Sequence, residues 1–181
     1  MTLHEQIEQE IVQWIKEFIV VPNDFYDGKF APCPYAQAAM LARAVDVVVW
    51  QSGDPRRFIR EKAFNMRSSA NVQTRVIVFP PRVQWSLGIS DYVDALNTEL
   101  IADDTFLNTG IAQKTKSRYP GSIGKPYFIV VVNSLAAVLK GAKSLSKTNY
   151  YDKWPATHVK LVVERRAEMA ERYGRPKDVR R

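Results

Sequence analysis

One cysteine, Cys33, and two histidines, His4 and His158, are all the thiol and imidazole that this 181-residue chain carries. A single thiol excludes an intrachain disulfide, and with it the disulfide-stapled secreted class. The same scarcity excludes the spaced Cys/His sets of a structural zinc site and leaves only a carboxylate-assisted metal site open, so no metal is expected. No segment reaches the roughly 18–20 uninterrupted apolar residues of a membrane-spanning helix, and no membrane association is expected. The loops Gly-x-x-x-x-Gly-Lys-Ser/Thr, Gly-x-Gly-x-x-Gly and Gly-x-Ser-x-Gly are missing, which leaves standard nucleotide cradles and the hydrolase elbow without support and implies no cofactor. The first residues are acidic, the opposite of a basic, then apolar, secretory signal, so the expected location is cytoplasmic.

Acidic residues are missing from one long stretch. Between Thr105 and Tyr151 seven basic residues (Lys114, Lys116, Arg118, Lys125, Lys140, Lys143 and Lys147) meet no Asp or Glu. Residues 1–104 hold 10 Lys/Arg against 14 Asp/Glu, a net of −4, whereas residues 105–181 hold 16 against 5, a net of +11. A field of that shape attracts anions, or docks on the acidic half of a second copy.

What is present reads as one α/β domain over residues 1–174, with 175–181 a basic flexible tail. Thr2 and Glu5 fit a capping box that opens Leu3, Ile7, Ile11, Trp14, Ile15 and Phe18 at helical spacing, giving a helix from Leu3 to Val20. After an aromatic, Gly- and Pro-containing loop, Pro34 suits the first position of a short helix running to Ala44. Val45–Trp50 is a β-branched strand, and Asp54-Pro55 starts a helix to Met66. Thr74–Phe79 is a second strand, which makes a βαβ unit, and Ser90 is expected to cap the helix that carries Tyr92, Val93, Leu96 and Leu100. Phe106–Ala112 is a weaker strand, whereas the apolar run Tyr127–Val132 belongs in the middle of a sheet. Helices from Leu135 to Lys143 and from Pro155 to Tyr173 follow, the second stopped by Gly174 and Pro176. The expectation is a mixed sheet of about four strands with helices packed on it, including N- and C-terminal ones.

Two places carry candidate chemistry. Cys33 precedes Pro34-Tyr35-Ala36 at a helix start, where free amides and the helix dipole favour a thiolate. The tetrapeptide matches the glutaredoxin pattern with its last cysteine replaced by Ala36, so only monothiol chemistry remains. Gly124-Lys125-Pro126 ahead of a strand is a second echo of thioredoxin-like proteins, whose cis-proline faces the cysteine. The alternative for Cys33 is a buried structural thiol. The other place is the basic half. Lys114, Lys116, Arg118, Tyr119 and Lys125 lie in a loop from Gly110 to Pro126 with free amides for phosphate and an aromatic ring to stack, and Arg165, Arg166, Arg172 and Arg175 extend the patch from the last helix. His4 and His158 suit solvent-facing or capping roles, and Asp91 and Asp94 suit an acidic first turn.

Taken as a whole, the chain resembles a bacterial family of unknown function whose members carry a Leu-Cys-Pro-Phe-Ala segment after an N-terminal helix. The matching pieces are Trp14-Ile15, Cys33-Pro34-Tyr35-Ala36, Val47-Val48-Val49, Asp54-Pro55, Val76-Ile77-Val78-Phe79-Pro80, Ser90-Asp91-Tyr92-Val93-Asp94 and Pro126-Tyr127. Family members have a His-Pro-x-Tyr segment before the final strand, where this chain is Lys/Arg-rich between Ala112 and Pro120 and has no histidine. The resemblance implies a fold and no activity. The functional expectation is a small binding protein that holds a phosphorylated ligand or nucleic acid with the basic loop and C-terminal helix. The alternative is a monothiol enzyme with Cys33 as nucleophile.

Overall fold

Alternation along four strands sorts the apolar residues onto two faces of one sheet. The computed structural model describes residues 1–66, 69, 71–80, 88–112 and 127–174. Strands β1 (Val45–Val49), β2 (Thr74–Phe79), β3 (Thr105–Ala112) and β4 (Tyr127–Ser134) lie in the order β1-β2-β4-β3. β1 and β2 are parallel, and β4 runs antiparallel to both of its neighbours. The run Tyr127–Val132 is central, as its two-sided apolar character requires.

On one face Ile77, Phe79, Leu107, Val130 and Val132 pack against α3 (Pro55–Met66) and α4 (Ile89–Leu100) through Ile59, Ala63, Met66, Val93, Leu96 and Leu100. α3 is the crossover between the parallel strands β1 and β2, the connection that a parallel pair requires. On the other face Val76, Val78, Tyr127 and Ile129 meet Ile7, Ile11 and Ile15 of the N-terminal helix. Ile11, Ile59, Ile77 and Phe79 have no exposed area, and each such side chain contributes about 1.5–3 kcal/mol by leaving water.

The N-terminal helix is α1 (Leu3–Trp14) with the Thr2–Glu5 capping box in place, and it continues as a π-helical turn, Ile15–Ile19. α2 (Pro34–Leu41) starts at Cys33 as its N-cap with Pro34 in the first turn, ahead of β1. α5 (Leu135–Leu145) is capped by Ser134, and Asp104 reaches its first turn by accepting from Ala136 N at 2.6 Å. The C-terminal helix is three pieces in series: α6 (Ala156–Val159), a π-helical turn Lys160–Glu164, and α7 (Arg165–Tyr173).

Ser90 does not cap α4. The N-cap is Gly88 at φ +88°, with Ser90 already inside the first turn, because the chain enters through a left-handed residue that glycine adopts without strain.

β3 is an edge strand, and its backbone is paired where α4 crosses it. Asn97, fully buried, donates to Leu107 O at 3.0 Å and accepts from Leu107 N at 2.7 Å, standing in for a neighbouring strand. At the β1–β2 end, the Arg75 guanidinium is held by Asp46 at 2.6 Å and by Lys62 O at 2.7 Å.

Candidate functional site

The sheet face that carries α1 does not stay apolar across its width. Pairing places Val47, Val76, Val131 and Asn108 in one cross-sheet row, and Val45, Thr74, Asn133 and Phe106 in the next. Thr74, Asn133 and Asn108 therefore interrupt the apolar face away from β1, and the C-terminal helix lies over its β3 side through Arg166. Between sheet and helices the packing leaves a cavity of about 350 Å³. Its walls are Trp14, Ile15 and Ile19 from the N-terminal helix, Cys33, Tyr35 and Ala36 from the start of α2, Val138 from α5, Tyr150, Tyr151 and Trp154, and Val162, Val163 and Arg166 from the C-terminal helix.

Both π-helical turns among the described residues line this cavity, one through Ile15 and Ile19, the other through Val162 and Val163. A π turn adds a residue to the helical turn at a cost in packing, and such turns concentrate where a site needs the extra space. The aromatic wall is cross-braced. Tyr26 stacks on Tyr150 at 4.6 Å between ring centres, Trp154 Nε1 donates to the Tyr26 hydroxyl at 2.9 Å, and the Tyr150 hydroxyl donates to Pro32 O at 2.7 Å. Lys153 pairs with Asp27 at 2.7 Å outside it, which ties the loop after α1 to the segment before α6.

Arg166 is the one charged side chain that lines the cavity among the described residues, and it is 6% exposed. Its guanidinium lies 5.2 Å from the Phe106 ring centre, and one Nη donates to Asn108 Oδ1 at a long 3.5 Å. Its Nε is buried without a hydrogen-bond partner among the described residues. Among the described residues no carboxylate lines the cavity, and the segment 113–126 has none in its sequence. Burial pulls the Arg166 pKa below its ordinary value, opposed by Tyr35, Tyr151 and Cys33. An arginine nevertheless stays charged.

The Tyr35 and Tyr151 hydroxyls are 3.2 Å apart, so one phenol proton is spent between them and the other is free to donate. Burial pushes the Tyr35 pKa up, with the Tyr151 contact adding to it. Tyr35 fits because α5 has a glycine opposite it. A Cβ on Gly141 would lie 1.9 Å from Tyr35 Cε1. Cys33 lines the cavity with an intermediate exposure. Burial pushes its thiol up from the ordinary range, against the lowering effect of the Ala36 and Tyr35 backbone amides and of Arg166. At this helix start the amides of α2 therefore do not outweigh desolvation.

The sequence candidates separate in space. Cys33 and Arg166 meet in the cavity. Arg165, next in the chain, points away and pairs with Asp94 of α4 at 2.9 Å. Arg172 lies over its neighbour Tyr173, and His158 is exposed with its ring 4.7 Å from Trp154. His4 lines a separate cleft beside β1, shared with Glu8 and Lys62. Lys114, Lys116, Arg118, Tyr119, Lys125, Pro126, Arg175 and the tail 175–181 lie outside the described residues. Tyr35, Tyr151 and Asn108 join the site without having been singled out by sequence reasoning. The visible signal for the two tyrosines was the aromatic density of residues 25–35 and 150–154, and Asn108 had none. Among the described residues no three His, Cys, Asp or Glu side chains gather as metal ligands, and no helix is long and apolar enough to cross a membrane.

Compared with protein-family models, with curated proteins and with solved structures, the chain matches none.

Proposed function

We propose that the chain is a binding protein that holds one small organic anion in this cavity, with Arg166 as the group that neutralises it. The observation that carries the reading is a buried guanidinium with an unpartnered Nε in a cavity without a carboxylate among the described residues. A cation taken out of water without a counter-charge costs several kcal/mol. An anion entering the cavity supplies that charge and accepts the idle N–H. The mostly aliphatic and aromatic walls ask for an apolar body behind the charged group, the usual make-up of a small-molecule site. This keeps the C-terminal helix as the anion-binding element. Any contribution of Lys114, Lys116, Arg118, Tyr119 and Lys125, and with it a phosphorylated or nucleic-acid ligand, is a wider form of the same proposal.

Thermal unfolding with decanoate as the probe tests it. At about a hundred times its Kd, decanoate is expected to raise the Tm by roughly 5–10 °C, and Arg166→Met to remove most of that rise. No rise in the unchanged protein, or the same rise in Arg166→Met, overturns the proposal.

A second reading, a monothiol enzyme, is kept by one observation: Cys33 shares the cavity with Arg166. Iodoacetamide labelling against pH separates the two. An inflection below the ordinary 9.0 of a thiol supports the enzyme, and one above it leaves Cys33 as part of the wall.

A further inference from the structure

Cavities of this size take many ligands, and three features of this one narrow the choice. The first is charge. Among the described residues the lining holds one positive charge and no negative one, and two of its weakly acidic groups, Cys33 and Tyr35, are pushed towards their neutral forms by burial. One negative charge balances the site. A phosphate monoester brings about −1.5 to −2 near neutral pH, which leaves charge uncompensated in an apolar cavity.

The second is the donor set. Among the described residues Arg166 offers an Nε–H without a partner together with an Nη group held by the 3.5 Å contact to Asn108, a side-on pair of the kind that grips the two oxygens of a carboxylate in its own plane. The Tyr35–Tyr151 pair adds one phenol proton. The third is shape. The lining takes residues from all four strands, Val45 on β1, Val76 on β2, Val131 on β4 and Asn108 on β3, so it spans three inter-strand steps, about 14 Å at 4.7–4.9 Å each. Arg166 lies at the β3 end, by Asn108 and Phe106. At roughly 30 Å³ for each water-sized group, 350 Å³ holds about a dozen non-hydrogen atoms.

Resting on the function proposed above, we infer that the cavity selects an elongated monocarboxylate of about a dozen non-hydrogen atoms, its carboxylate on Arg166 at the β3 end and its apolar chain running across the sheet towards β1. Tyr151 then acts as a specificity determinant for the charged end, through the phenol pair that it completes.

Calorimetric titration of the full chain at about pH 7.5, where a phosphate ester is largely dianionic, tests this with four probes of one chain length: decanoate, decyl phosphate, 1-decanol and decylammonium. Decanoate is expected to bind roughly ten- to a hundred-fold more tightly than decanol, the range for a hydrogen bond to a charged group, and at least about ten-fold more tightly than decyl phosphate, with decylammonium weakest. Tyr151→Phe should weaken decanoate about three- to ten-fold and leave decanol unchanged. Decyl phosphate binding as tightly as decanoate, with Arg166→Met weakening both, overturns the monocarboxylate inference while the anion-binding reading stands. Decanol binding as tightly as decanoate, or no probe binding at all, overturns both. The four-probe comparison in the unchanged protein carries the decision even where a variant fails to fold.

Discussion

A side chain kept for binding and a side chain kept for folding respond oppositely to the same substitution, and Arg166 is placed where the difference is measurable. In the absence of ligand, Arg166→Met removes a charge that is 94% buried, together with one 3.5 Å hydrogen bond and a 5.2 Å contact to the Phe106 ring. The bond is too long to count for much, and the ring contact is worth about 0.5–2 kcal/mol. Against that stands the desolvation of a guanidinium with an idle Nε, several kcal/mol before relaxation, the cause that pulls its pKa down. Methionine fills much of the same volume with an apolar chain, so the packing of the arginine stem is largely kept. The balance is a variant that is as stable as the parent or up to about 2 kcal/mol more stable, with a Tm unchanged or raised by up to roughly 8 °C for a chain of this length. Urea and thermal unfolding of the two proteins without ligand measure it directly. A loss of more than about 1 kcal/mol would show that Arg166 is a structural residue, and the argument from its unpaired charge would then be wrong.

Three other perturbations probe the frame around the site. Gly141→Ala puts a Cβ 1.9 Å from the Tyr35 ring; its gain in helix propensity of about 1 kcal/mol is outweighed by overpacking, and urea unfolding should show a net loss of about 1–2 kcal/mol with weaker decanoate binding. Asn97→Ala leaves both Leu107 backbone groups without the amide that serves them, so a loss of about 2–4 kcal/mol is expected, with faster hydrogen exchange at the Leu107 amide as its local mark. Tyr35, Tyr127 and Cys33 all have folded-state pKa values raised by burial, so the unfolded chain gives up their protons first. The stability that these neutral forms support is complete below the ordinary 9.0 of the thiol and 10.0 of the phenols and is lost as pH rises above those values towards the raised folded ones. Tm should therefore fall from about pH 9 upward, less steeply in Tyr127→Phe, and a Tm flat to about pH 11 would contradict the burial of these groups.

Much of the fold was legible because local and tertiary demands agree in it. Asp54-Pro55 marks the start of α3, the β-branched run from Val45 a strand, and Tyr127–Val132 the centre of the sheet. Strand order was not legible. The insertion of β4 between β2 and β3 is decided by which apolar faces meet after collapse, and nothing in Thr74–Phe79 says whether its second neighbour is parallel or antiparallel. Asn97 was invisible for a related reason. An amide inside an apolar helix face reads as an interruption until the edge of β3 is seen beside it.

The site shows the limit more sharply, since a charge census cannot separate neighbours. Arg165 and Arg166 enter a net charge equally, yet successive helical residues point about 100° apart, and here one reaches Asp94 across solvent while the other turns under Phe106 into the cavity. The π-helical turn just before them, Lys160–Glu164, moves the phase of the apolar stripe by one residue. A regular period carried from Val159 through Tyr173 therefore assigns the faces of α7 incorrectly. In the function proposed above, specificity rests on one buried guanidinium and not on the basic field of the C-terminal half, and the Nε that lacks a partner among the described residues is a property of the fold and of no single stretch of sequence.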